Sequence, residues 1–93
     1  MYEIDGCDFN ILTAFNTVDE DGETFLDKPA YGATISMIMD YLEGIRANKS
    51  RKTIYLHMVH LVETGYVAEG IKYNHATSYY ITEKGKNALK GDL

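Results

Sequence analysis

A chain of 93 residues has room for one small hydrophobic core, and 45% hydrophobic with 25% charged residues excludes a disordered or fibrous class. No apolar run approaches the roughly 18 residues that cross a bilayer, and MYEIDGCDFN lacks the basic-then-apolar order of a signal peptide, so a soluble cytoplasmic protein is expected. The net charge of -5 would argue against a nucleic-acid partner, but residues 1–45 hold ten acids against one base, whereas residues 46–93 hold eight bases against four acids.

In chain order, DFNILTAFNTV (8–18) predicts a first helix, with Asp8 as N-cap and Ile11, Leu12 and Phe15 on one apolar face. The single cysteine just ahead of it, Cys7, cannot form an internal disulfide, which fits a reducing compartment. With no specific partner in view, it reads as a small buried residue. DEDGETFLDKPAYG then breaks the periodicity with the sole proline, two glycines and five acids. It reads as an acidic loop over about 19–33, with a short strand near Glu23–Leu26. Asp19, Asp21 and Gly22 echo part of a calcium loop. A third early ligand and a placed closing glutamate are missing, so a solvated loop is expected.

TISMIMDYL (34–42) returns to helical spacing, capped by Thr34 and closed by Gly44, with Ile35, Ile38 and Leu42 inward. After the basic connector IRANK, Ser50 caps a third helix whose inward stripe is Ile54, Met58 and Leu61. Gly65 ends that helix in a left-handed residue. Tyr66–Tyr73 and Thr77–Thr82 alternate as strands around the turn NHA, with Tyr79 and Ile81 inward and Tyr80 outward. A last helix follows Thr82 over Glu83–Leu89.

The order of three helices, hairpin and short helix predicts a mainly α (α+β) single domain. Its expected architecture is a winged helix-turn-helix: a three-helix bundle with a C-terminal β-hairpin wing and a last short helix. TISMIMDYL at 34–42 resembles the helix before the recognition helix in MarR-like and PadR-like transcriptional regulators. Residues 50–67, with Leu61, Gly65, Tyr66 and Val67, are similar to their recognition helix and its exit into the wing, and SYYITEKG at 78–85 to their return strand. The resemblance covers about residues 8–90. Two features depart from those families: the long connector between Leu42 and Ser50, and the acidic insertion.

On that reading the third helix (about 50–64) enters the major groove of double-stranded DNA, and the wing (about 66–82) meets the minor groove or phosphates. The candidate contacts are Arg46 and Lys49 on the backbone, and Ser50, Arg51, Lys52 and Thr53 at the helix start. Tyr55 and His57 lie further along, and Lys72, Tyr73, Asn74 and His75 at the wing tip. A homodimer is expected, because specific sites are commonly read by pairs of such modules. Leu56, Val59 and Val62 widen the apolar face of the same helix. Val62 is expected to be covered by neighbouring helices, while Leu56 and Val59 fit either cover or a partner surface. They motivate, with the acidity, an alternative: a protein-interaction module that binds another regulator.

His57 and His60 share a helix face, but a metal would need further ligands, so no metal site is expected. No cofactor motif, nucleophile–base pair, phosphate-cradling glycine loop or poised carboxylate pair is present, so no enzyme is expected.

Overall fold

A computed structural model describes residues 3–91, and every side chain among them except those of Val18, Asp19 and Tyr73. The first helix, α1, runs Gly6–Thr13 and starts earlier than its apolar periodicity suggests. Asp5, not Asp8, is the N-cap. The Asp5 carboxylate accepts the Asp8 N–H at 2.8 Å, and the Asp8 carboxylate accepts the Asp5 N–H at 3.1 Å. This is a reciprocal capping box, in which an acid three residues after the cap satisfies a second free amide. The helix stops at Thr13 instead of reaching Val18, because Asn16–Asp19 pairs as a strand, β1, with β2 at Gly22–Phe25. The acidic segment thus begins as an antiparallel hairpin turning at Glu20–Asp21, where Gly22 takes a φ of 111°. Its base is tied to the core: the Leu26 N–H donates to Phe15 O at 2.8 Å, and the Ile81 N–H donates to Leu26 O at 2.9 Å.

A two-residue strand, β3 (Ala33–Thr34), leads into α2 (Ile35–Gly44), with Thr34 as the expected cap. Gly44 does not close α2. The left-handed position is Arg46, φ 59°, whose N–H donates to Glu43 O at 3.1 Å while the Ala47 N–H donates to Leu42 O at 2.8 Å. That bond pair is a Schellman closure, usually built on glycine. Helix α3 (Arg51–Glu63) starts at Ser50 and buries Ile54, Met58 and Leu61. It ends in the same way on Gly65, φ 86°, with Gly65 N–H to Val62 O and Tyr66 N–H to Leu61 O at 3.1 and 2.9 Å.

Strands β4 (Val67–Tyr73) and β5 (Ala76–Ile81) form the long hairpin, and β3 adds to the other edge of β5, giving the order β3-β5-β4. Asn74 and His75, with φ of 48° and 72°, make a two-residue turn in which both residues are left-handed. This type I′ geometry matches strand twist. A bulge between Glu69 and Lys72 frees the Ile71 N–H to donate to Pro29 O at 3.0 Å, which fastens the 26–31 loop to β4. Helix α4 (Glu83–Leu89) is capped by Thr82 and presses Gly85 against the chain at Tyr66, where a Cβ would stand 2.3 Å from the Tyr66 carbonyl oxygen.

Among the described residues the chain therefore has four helices and two small antiparallel sheets, an α+β fold. Ile11, Leu12 and Phe15 meet Ile38, Leu42, Ile54, Met58, Leu61, Tyr66 and Ile81 in one core. Each large side chain buried there contributes about 1.5–3 kcal/mol of hydrophobic stabilisation. Tyr79 and Ile81 are buried as expected and Tyr80 is half-buried, but Ser78, on the face of Tyr80, is also fully buried, so β5 does not alternate strictly. Among the described residues no helix is long and apolar enough to cross a membrane.

Candidate nucleic-acid interface

The α2 closure lies in a six-residue connector, 45–50, that carries Arg46 and Lys49 into the start of α3, whose first two residues are Arg51 and Lys52. Arg46, Lys49, Arg51 and Lys52 are all exposed, and no carboxylate ion-pairs any of them among the described residues. The Arg51 guanidinium reaches back to α2, donating from Nη1 to Ser36 Oγ at 3.1 Å, with Met39 Sδ at 3.9 Å. These exposed contacts orient Arg51 without neutralising it.

Ser50 and Thr53 are partly occupied. Ser50 Oγ accepts the Thr53 N–H at 3.2 Å and donates to Thr53 Oγ1 at 3.0 Å. This satisfies one of the free first-turn amides. The amides of Arg51 and Lys52 have no protein acceptor among the described residues, as the first turn of a helix leaves them. Such amides, together with the positive end of the helix dipole, favour an anion.

At the far end of the β4–β5 hairpin, Lys72, Asn74 and His75 are exposed. Tyr73, expected beside them, has its side chain outside those described. Tyr55, 51% exposed, lies further along α3. It lines a groove of about 210 Å³ between α3 and the hairpin with Val59, Val62, Glu63, Glu69 and Tyr79. Val62 also packs on the core, as expected, whereas Leu56 is 57% exposed.

His57 does not join the basic end. Its Nδ1 lies 2.6 Å from Asp8 Oδ1 and 4.0 Å from Asp5 Oδ1, in a crevice between the start of α1 and α3. About one and a half helical turns separate it from the Arg51–Lys52 end, and the buried Asp8 carboxylate holds its ring. His57, expected among the DNA contacts, thus lies with Asp8 in the α1–α3 crevice, apart from the other candidate contacts. His60 Nε2 stands beside it, 2.8 Å from the Glu3 carbonyl oxygen and 3.9 Å from Asp8 Oδ2. The carboxylates that sequence spacing withheld from His57 and His60 come from the capping box of α1. The legible signal was the shared three-residue spacing of Asp5/Asp8 and His57/His60. The Asp8 N–H bond, followed by the His57 ring, holds the Asp5 carboxyl below its ordinary range. The half-buried Cys7 thiol is pushed up by burial and by the Asp5 and Asp8 charges, which suits it poorly to act as a nucleophile.

Two bases of the C-terminal half serve the fold. Lys84 Nζ donates to Glu3 Oε1 at 3.0 Å and to the Thr64 carbonyl at the end of α3 at 2.7 Å, and lies 4.5 Å above the Tyr66 ring. Lys86 Nζ donates to Asp27 Oδ2 at 2.6 Å. The basic half is thereby narrowed to the connector, the start of α3, the hairpin's Lys72 and the C-terminal Lys90. Compared with protein-family models, curated proteins and solved structures, the chain matches none of them.

Proposed function

We propose that this chain is a winged-helix DNA-binding transcriptional regulator. The first turn of α3 enters the major groove of a duplex, the 46–49 connector rests on its phosphates, and the β4–β5 hairpin acts as the wing. One observation carries the reading. Arg46, Lys49, Arg51 and Lys52 are free of carboxylate partners among the described residues, while Lys84 and Lys86, which lie elsewhere, are ion-paired. Phosphates supply the missing counter-charges, and the Arg51 and Lys52 amides add two donors to the same anion surface. A homodimer would extend the contact to two half-sites.

The test is a double variant, Arg51→Ala with Lys52→Ala. Fluorescence anisotropy on a labelled duplex at moderate salt should show binding abolished, while the thermal melt stays nearly unchanged, because the lost Arg51 bonds are exposed. Wild-type binding should weaken steeply with salt through counterion release. Undiminished binding by the double variant removes α3 as the reader.

The groove beside Tyr55 favours a second reading, a module that binds another protein. Exposed Tyr55, with Val59 and Val62, neighbours Glu63 and Glu69 there, a surface apolar and acidic where a DNA-facing helix would be basic. A chain that passes through heparin at low salt, and instead retains a basic protein partner, would support this reading over the first.

A further inference from the structure

The crevice between α1 and α3 gathers Glu3, Asp5, Asp8, Leu56, His57 and His60 around about 370 Å³. Its chemistry is mixed, two imidazoles from one helix facing two carboxylates from another. One ligand atom each from Asp5, Asp8 and His57 falls within 4.8 Å of the others. A tetrahedral ion with bonds of about 2.0–2.2 Å places its ligand atoms about 3.3–3.6 Å apart. The observed separations, 2.6 Å for His57–Asp8, 4.0 Å for His57–Asp5 and 3.9 Å for His60–Asp8, fall on either side of that spacing. Changes of about 0.3–1.0 Å in these separations, within the reach of side-chain rotation, would bring them to that spacing.

We propose that Asp5, Asp8 and His57, completed by His60, form a binding site for a divalent metal of the zinc class. The donor set decides the class: two imidazoles with two carboxylates suit Zn²⁺, whereas Ca²⁺ and Mg²⁺ take oxygen ligands. The backbone already orients the acids. Asp5 Oδ1 is held by the Asp8 N–H and Asp8 Oδ2 by the Asp5 N–H, which leaves lone pairs on both carboxylates for the ion. Asp8 is only 3% exposed, so the ion would meet a carboxylate that water screens weakly. The metal takes the place of the proton between His57 Nδ1 and Asp8 Oδ1, and His60 exchanges the Glu3 carbonyl for the ion. The site would pin the start of α1 to the middle of α3. It lies off the Arg51–Lys52 end and stands whether or not α3 binds DNA.

Zn²⁺ alone is the probe. Isothermal titration of the full chain should show one saturable equivalent, with a raised thermal midpoint because only the folded chain holds the ligands together. Co²⁺ should give the intense visible absorption of a four-coordinate site. His57→Gln should weaken Zn²⁺ binding by more than about 100-fold, beyond what losing a ligand's hydrogen-bond partner costs. Asp5→Asn keeps an oxygen to cap α1, so it folds even if the first variant does not, and it should weaken binding at least tenfold. Cys7→Ser should leave affinity unchanged. No saturable binding by wild type, full affinity in Asp5→Asn, or loss of binding in Cys7→Ser would each overturn the site.

Discussion

Arg46→Gly separates the two tasks proposed for one residue. Arg46 closes α2 with φ 59°, a conformation that costs an L-residue about 1–2 kcal/mol and glycine almost nothing. Glycine returns about 0.5–1 kcal/mol of that advantage through the larger entropy of its unfolded chain. The net expectation is a gain of about 0.5 kcal/mol, which raises the thermal midpoint of a domain this size by roughly 2–4 °C. The two Schellman bonds of Arg46 and Ala47 are made by backbone atoms and survive the change. Duplex binding should respond in the opposite direction. Loss of one phosphate-facing cation should lower affinity and make the slope of log K against log salt shallower by about 0.9. Melts and anisotropy titrations at several salt concentrations read both quantities on the same preparations. A midpoint that falls would mean that Arg46 is held by side-chain contacts outweighing its backbone strain. An unchanged salt slope would remove Arg46 from the DNA surface.

The Lys86–Asp27 bond makes stability depend on acid in a fixed direction. The Lys86 ammonium holds the Asp27 carboxyl below its ordinary 3.8, so the pair's contribution is complete above that value and is lost as pH falls through the lowered one. Asp27→Asn should therefore melt lower than wild type at pH 7, with the deficit shrinking as pH falls below 3.8. An Asp27→Asn deficit that persists undiminished at pH 2 would assign the loss to packing. At the hairpin turn, His75 holds a φ of 72° at a position that favours glycine. His75→Gly should raise the urea midpoint with an unchanged m-value, and a lowered midpoint would mean that the His75 side chain stabilises the turn.

Much of the fold was legible because its signals are local. Ser50, Thr34 and Thr82 cap the helices expected of them, Ile54, Met58 and Leu61 form the expected stripe, and Gly65 terminates α3. The misreadings have equally specific causes. Asp8 looked like a cap because it is the second half of a capping box whose first half, Asp5, precedes the apolar pattern. Gly44 looked like the helix stop because glycine is the usual left-handed residue, yet Arg46 takes that role. The short strand expected near Glu23–Leu26 is β2, but its partner Asn16–Asp19 looked like the end of a helix, because strand pairing depends on the partner strand across a turn, which periodicity within one segment does not report. Of the candidate interface, the basic connector and helix start could be read directly from the run 46–52.

The sequence by itself determined where helices begin, which positions turn inward, and that cations are concentrated after residue 45, since capping, periodicity and charge count depend on neighbours along the chain. Only the tertiary structure decided which cations are spent on carboxylates and which stay open. It also brought the α1 capping box within bonding distance of His57 and His60. Those outcomes depend on separations across the core between residues some fifty positions apart, as Asp8 and His57 are. Such distances follow from how the helices pack, and no local pattern encodes them.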